Sequence, residues 1–303
     1  MLSAPTTMEA ATGRLTHSQW LGVPQQQDAE DVLAALQQRS PDWIVVDHYA
    51  LDAEWERAVA GTARCLAIDD LADRHHHVDL LLDQNLGRSQ ADYQHLVSPH
   101  CTVLAGPGYA LLRREFAHLR EKSLSRRCNA PAIRRILISL GGVDNDNVTE
   151  SVLRLLPFCS LPSDVEIVVV MGSLAPWIES VRRAGAEVPL PVQVLSNVGN
   201  MAEVMADCDL AIGAVGGSAW ERCCLGLPTL AIILAENQRP GAVALQQAGA
   251  VELLGDVRQL SHRLPAALRC AQAPGVLAGL IERAQAVADG GGVARITNAM
   301  GVS

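Results

Sequence analysis

Gly213-Ala-Val-Gly-Gly-Ser-Ala-Trp-Glu221, followed by Leu227-Pro-Thr-Leu-Ala-Ile-Ile-Leu-Ala-Glu-Asn-Gln238, decides how this chain is read. It spells strand, glycine-rich turn, helix, strand, and a polar turn opening another helix. Gly216 and Gly217 let backbone N–H groups approach a phosphate at a helix N-terminus, where the helix dipole also favours an anion. Glu221 lies four residues after Gly217, one helical turn down the same face. A carboxylate there can accept hydrogen bonds from both hydroxyls of a ribose. Diphosphate on the turn and ribose on the glutamate would hold a nucleotide-sugar. The plainer reading is that such turns recur throughout α/β proteins, and that an early helical Glu only complements the dipole.

Outward from this stretch, strand and helix patterns alternate. Arg135–Leu140 reads as a strand, followed by Gly141-Gly-Val-Asp-Asn-Asp-Asn147 and a helix from Val148 to Leu156. Glu166–Met171, Val192–Leu195, Leu210–Val215, Leu230–Leu234 and Val251–Leu254 are further strands, separated by helices. Repeated units at this spacing predict a doubly wound parallel sheet. Ligands of such sheets sit at the C-terminal strand edges, where the Gly141-Gly142 and Gly216-Gly217 turns fall.

The first part of the chain carries the same alternation. Asp42–His48 reads as a buried strand delivering Asp47 and His48 at its end, with a helix over Leu51–Gly61. Cys65–Asp70 and Asp79–Asn85 are strands, Gln90–Val97 a helix, and Thr102–Ala105 a strand. Tyr109 to about Ser125 is charged and helical, and the polar Arg126–Pro131 stretch reads as a linker. Two α/β domains are therefore expected, over residues 1–125 and 126–303, with a cleft between them. The Ala-rich chain after Ser261 is helical, and its last helix is expected to pack back on the first half.

Composition narrows the class. The chain has 303 residues, 49% of them apolar and 19% charged, as suits a globular protein with sizeable cores. Aromatics are only 3%, which favours buried parallel strands and Ala-rich helices over a β-sandwich. The net charge is −9 and no basic stripe is interleaved with aromatics, so no nucleic acid is expected as a partner. Arg113-Arg114, Arg126-Arg127 and Arg134-Arg135 read as solvated pairs. Eight cysteines without a C-x-x-C pair point to reduced thiols and a cytoplasmic location. Met1–Thr12 lacks a basic and an apolar region, so no secretory leader is expected there, and no apolar run is long enough for a membrane span.

Several ordered blocks together resemble one enzyme family. They are Val45-Val-Asp-His-Tyr-Ala-Leu-Asp52, Ile68-Asp-Asp-Leu-Ala-Asp-Arg-His75, Val78-Asp-Leu-Leu-Leu-Asp-Gln-Asn85, Tyr109-Ala-Leu-Leu-Arg-Arg-Glu-Phe116, Ile138–Asn147 and Gly213–Gln238. The family is the UDP-2,4-diacetamido-2,4,6-trideoxy-β-L-altropyranose hydrolases of pseudaminic acid biosynthesis, which feeds flagellin glycosylation. It is similar in fold to GT-B glycosyltransferases of the MurG kind, with two Rossmann-like domains. The resemblance implies a monomeric, metal-independent hydrolase without cofactor. It would release UDP from a diacetamido-trideoxy sugar by cleaving the anomeric C–O bond with inversion. It implies that Gly217, Ser218 and Glu221 hold diphosphate and ribose, that Asn237 and Gln238 contact the sugar, and that Gly141, Gly142 and Asn147 line the cleft.

The family opens on a strand and a Gly-x-Gly-His-x-x-Arg loop whose His is the base; this chain has no such loop. Gly13–His17 lacks the second glycine, and His17 does not take over the role. The N-terminal domain is therefore expected to be incomplete, through a start placed too far downstream or a truncated gene. His48 and Asp47 remain as candidate catalytic residues, against the plainer reading of a hydrogen-bonded structural His. Asp69 and Asp70 are read as caps of the next turn before water-orienting groups. His75-His76-His77 is not read as a metal site, because consecutive residues do not converge on one ion. Trp43, Trp55, Trp177 and Trp220 read as packing residues. A GT-B glycosyltransferase and a silent UDP-sugar-binding protein stand as alternatives. An NAD-dependent oxidoreductase is disfavoured, since no Gly-x-Gly-x-x-Gly opens a strand–helix unit.

Overall fold

The computed structural model describes residues 15–37, 39–129 and 132–302. Met1–Thr12, the first two residues of Gly13–His17, and Ala130 and Pro131 of the expected linker lie outside them. The chain divides into two compact units.

The first unit runs to Tyr109 and takes back the chain from Ala294. Its elements are α1 (Gln25–Leu36), β1 (Trp43–Val46), α2 (Ala53–Ala60), β2 (Arg64–Ile68), β3 (Leu80–Asp83) and β4 (Thr102–Ala105). The strands form one parallel sheet in the order β1-β2-β3-β4, with Val46 opposite Ala67 and Ile68 opposite Leu82. All four residues of Leu80-Leu-Leu-Asp are buried, as a strand covered on both faces requires. α2 begins at Asp52, whose carboxylate accepts from the Glu54 N–H at 2.9 Å. On one sheet face Trp55, Val59, Cys65, Leu81 and Tyr93 form a core. The helix expected at Gln90–Val97 is a single 3-10 turn, Gln90–Tyr93, closed by reciprocal Ser89 and Asp92 hydrogen bonds.

The second unit spans Ala110–Val293. Its elements are α3 (Arg114–Asn129), β5 (Arg135–Ser139), α4 (Val148–Leu155), β6 (Glu166–Met171), α5 (Ile178–Glu187), β7 (Val192–Ser196), α6 (Met201–Asp207), β8 (Leu210–Ala214), α7 (Gly217–Cys224), β9 (Thr229–Ile233), α8 (Arg239–Gln247), β10 (Glu252–Asp256), α9 (Leu260–Ala271) and α10 (Val276–Val287). A last helix, α11 (Gly292–Met300), follows. The six strands are parallel in the order β10-β9-β8-β5-β6-β7, the doubly wound order of nucleotide-binding folds. The strand order turns back between β5 and β8, where Ser139 lies opposite Gly213.

α11 packs against the first unit's sheet. Ile296 is buried with Leu66, Leu80, Leu82 and Leu104, and the Trp43 indole N–H donates to the Met300 carbonyl at 3.1 Å.

The stretch from Arg126 is not a linker. α3 continues to Asn129 and belongs to the second unit, so the division falls after Tyr109 instead of after residue 125. The reason is Arg127, which is 2% exposed rather than solvated. Its guanidinium donates to the carbonyls of Met205 and Cys208 at 2.7 Å and of Leu225 at 3.1 Å. These are the C-terminal carbonyls of α6 and α7, which carry the negative end of each helix dipole and so suit a cation. Arg126 pairs with Asp209 at 2.7 Å. Among the described residues no single helix is long and apolar enough to cross a membrane.

Candidate functional site

In the second unit, two glycine turns stand on either side of the point where the strand order reverses. Gly141-Gly142 follows β5 and Gly216-Gly217 follows β8. Open α/β sheets bind ligands in this crevice, at the C-terminal strand ends. Gly141 has φ +99°, a left-handed conformation that favours glycine. A Cβ on Gly142, Gly216 or Gly217 would meet nothing within 4 Å, so these backbones face open space. Gly172, just after β6, lies so close to Gly142 that a Cβ would fall 2.0 Å from the Gly142 carbonyl oxygen. That contact supports the Gly141-Gly142 turn from behind.

The sequence-derived residues are distributed around these turns. Gly216 is the N-cap of α7 and offers no side-chain cap; its carbonyl accepts from the Ala219 N–H at 2.8 Å, so the Gly217 and Ser218 N–H groups are the ones left for a ligand. Glu221 is half-buried, and burial pushes its carboxyl above the usual range, with Arg113 and Arg222 pulling it back. The Ser218 hydroxyl is tied from below by Arg222 at 3.0 Å. Asn147 sits at the N-cap of α4 with φ 53°, and its amide N–H donates to Glu150 at 2.6 Å. Its amide oxygen is buried and takes no hydrogen bond from the described residues. α4 is capped instead by Asp144, which accepts from the Val148 and Thr149 N–H groups at 2.9 Å each. Asn237 is exposed after β9, while Gln238 turns back and accepts from the Leu234 N–H at 3.0 Å.

Arg222 escaped the sequence reading. It is fully buried and forms no ion pair among the described residues; its guanidinium donates to the Ala214 carbonyl at 2.6 Å and to Ser218. It therefore braces the end of β8 against the first turn of α7. Burial pushes its pKa down to about 10, so it stays charged at neutral pH.

In the first unit, β1, β2 and β3 deliver polar groups at their C-terminal ends. Asp47 is exposed, and the His48 ring nitrogen Nδ1 accepts from the Ala50 N–H at 3.1 Å. The adjacent Tyr49 hydroxyl bonds Asp70, and burial and that carboxylate raise its pKa. Burial raises Asp70 in turn, opposed by the Tyr49 bond. Asp69 accepts from the Ala72 N–H at 2.9 Å, capping its turn as expected from the sequence, but it also meets Arg74 at 2.5 Å. Burial alone would raise Asp69; Arg74 overrides it and holds the carboxyl below the usual range. Tyr49, Arg74, Asp83 and Tyr93 were not read as site residues. Only a Tyr two residues after Asp47, and an Arg five after Asp69, hinted at them. A cavity of about 770 Å³ opens beside these ends, lined in part by Pro24, Gln25, Asp52, Asp73 and His75. The three histidines do not act together: His76 is buried on Glu56 at 2.7 Å, His77 faces His100, and His75 is exposed.

No family model matches the chain. An uncharacterised protein of Methanocaldococcus jannaschii is 26% identical over 217 residues, 70% of this chain and 44% of its own length. The spore coat polysaccharide biosynthesis protein SpsG of Bacillus subtilis is 32% identical over 160 residues, covering 52% of this chain and 45% of SpsG. The UDP-2,4-diacetamido-2,4,6-trideoxy-β-L-altropyranose hydrolase of Campylobacter jejuni is 23% identical over 221 residues, 72% of this chain and 76% of the hydrolase. The chain spans less than half the length of the first two relatives. Among solved structures, MurG of Acinetobacter baumannii matches with a TM-score of 0.60 at 16% identity, over 91% of this chain and 79% of MurG. MnaA of S. aureus, solved with UDP, matches with a TM-score of 0.59 at 13% identity, over 92% and 78%. The fold is of the GT-B type. At these identities the structural likeness establishes the fold alone.

Proposed function

We propose that this chain processes a UDP-sugar, and that its reaction is hydrolysis of a UDP-linked 2,4-diacetamido-2,4,6-trideoxy sugar. The observation that carries the reading is the pair of open glycine turns flanking the strand-order reversal, with Glu221 one helical turn below Gly217. The Campylobacter hydrolase and SpsG, both similar in sequence, support the sugar-processing reading. In this account the first N–H groups of α7 meet the diphosphate, and the Glu221 carboxylate accepts from the ribose hydroxyls. Water attacks the anomeric carbon, and the C–O bond breaks with its electron pair passing to the β-phosphate oxygen. The developing charge faces the positive end of α7, with the Arg222 guanidinium beneath it. The proton leaving the water goes to a general base, for which the sequence offers Asp47 and His48.

Two other readings share this site. The GT-B fold also carries glycosyltransferases such as CalG4. In the second reading the chain passes the sugar to an acceptor, and in the third it binds UDP-sugar without turnover. Incubating the chain with the UDP-sugar in ¹⁸O water, with and without candidate acceptors, separates the three. Free sugar labelled at C1 supports hydrolysis, acceptor-dependent UDP release supports transfer, and UDP binding without release supports the silent form. Absence of UDP binding overturns the proposal as a whole.

A further inference from the structure

Asp69, Asp83 and Tyr93 form a closed group, each no more than 1% exposed. The Tyr93 hydroxyl lies 3.0 Å from Asp69 Oδ2 and 2.8 Å from Asp83 Oδ2. A phenol carries one hydrogen, and an ionised carboxylate only accepts. With both aspartates ionised, one of these two oxygen pairs would face each other with no proton between them, inside a buried site where an unmet polar contact is costly. A second proton satisfies both contacts. Asp69 is the wrong place for it: Arg74 sits 2.5 Å from Oδ1, and the Ala72 N–H donates to Oδ2. Asp83 is the better place. Its Oδ1 accepts from the Asn85 N–H at 2.8 Å, and its cation, Arg88, is partly exposed and lies 3.2 Å from Oδ2, farther than the buried Arg74 from Asp69; an Oδ2 hydroxyl can donate to Tyr93 while it accepts from the Arg88 Nε–H.

We infer that Asp83 is a neutral carboxylic acid in the folded protein, donating to Tyr93, which donates to Asp69, and that this proton-loaded chain is a positioning device for the strand ends. Arg74 extends it, donating to the Leu51 carbonyl at 2.8 Å and to the His48 carbonyl at 3.5 Å. The line thus runs from the end of β3, through Asp69 after β2, to the loop after β1 that carries Asp47 and His48, and it fixes the backbone next to Asp70. The charged and titratable groups facing it are Arg74, Asp70, Tyr49 and His76 around Asp69, with Asp47 beyond Asp70 and Asp73 beside Arg74, and Arg88, whose Nε lies 3.2 Å from Asp83 Oδ2. Burial raises the Asp83 pKa, opposed by the Asn85 N–H, Tyr93 and Arg88. A carboxyl whose folded pKa is raised lends stability that is full below the unfolded value, about 3.9, and is lost as pH climbs through the folded value.

Asp83→Asn replaces the acid by a permanently neutral donor and acceptor of the same shape. The infrared carboxylic-acid C=O band at neutral pH should be present in the wild type and missing in Asp83→Asn. The ratio of wild-type to Asp83→Asn unfolding constants should rise with pH, by up to about tenfold per pH unit between the unfolded and folded pKa values. Tyr93→Phe should destabilise at every pH. No acid band, or a constant Asp83→Asn to wild-type ratio from pH 4 to 8, overturns the inference. The consequence for catalysis rests on the hydrolase reading: turnover by the wild type should fall on the alkaline side, and Asp83→Asn should keep its activity there. Alkaline loss that is unchanged in Asp83→Asn overturns the positioning role. If the wild type turns over no UDP-sugar, the hydrolase reading fails, while the band and the unfolding ratio still decide where the proton is.

Discussion

The Arg222 guanidinium lies against the backbone of Gly213, so closely that a Cβ on Gly213 would meet its Cζ at 2.8 Å. The glycine that ends the apolar core of β8 therefore makes room for the cation that braces the next turn. Gly213→Ala should cost about 1–3 kcal/mol by overpacking. Adding Arg222→Met should cost less than the sum of the two single changes, because the clash disappears with the guanidinium. Urea unfolding of the four proteins in the cycle measures the coupling.

Glu221→Gln should weaken UDP binding about ten- to a hundredfold, the worth of hydrogen bonds to a charged carboxylate. The wild type should also lose affinity as pH falls through the raised Glu221 pKa, since the protonated acid accepts less well from the ribose hydroxyls. Glu221→Gln should lack that part of the pH dependence. Titration calorimetry with UDP from neutral pH downward reads both, and uridine as ligand isolates the ribose contact from the diphosphate.

Gly217 opens α7, and space above it is empty. Gly217→Ala should leave the fold intact and stabilise it by about 0.4–1 kcal/mol, through the unfolded chain. The new methyl group projects where a phosphate would approach, so UDP affinity should drop by about tenfold or more, 1.4 kcal/mol. A rise in melting temperature together with lost UDP binding is the expected pair of results.

Arg127→Met should destabilise the second unit by about 3 kcal/mol or more, because it leaves buried carbonyls at the ends of α6 and α7 without donors. Hydrogen exchange should rise first in α3, α6 and α7.

Ile296→Ala should cost about 2–4 kcal/mol by opening a cavity among Leu66, Leu80, Leu82 and Leu104. Exchange should rise in β2 to β4 of the first unit, although the substitution lies near the C-terminus.

The strands were legible because buried parallel strands read as unbroken apolar runs. The runs Leu210–Val215, Leu230–Leu234 and Val251–Leu254 differ from the observed strands by no more than two residues at an end. α1 was not read, since Gln25-Gln-Gln-Asp-Ala-Glu shows little apolar periodicity and only Ala29 is buried. The end of α3 was misread because Arg126, Arg127 and Asn129 look solvated, while Arg127 is held by carbonyls contributed from residues 205–225. At the site, glycine turns and Glu221 stood out because their meaning is local. Arg222, Tyr93 and Asp83 did not, because a buried Arg, Tyr or Asp acquires its role from partners elsewhere in the chain.

The sequence by itself determined the class of fold, through strand–helix alternation with apolar runs, and marked the glycine turns at strand ends. Those signals act over a few residues, where backbone freedom and side-chain periodicity are set. Only the tertiary structure decided that β5 and β8 are neighbours, so that two turns some 75 residues apart in sequence flank one crevice. Only it placed one phenol hydroxyl between two buried aspartates. Strand order and the solvation of a buried charge depend on which distant groups meet, and a linear pattern carries no record of those meetings.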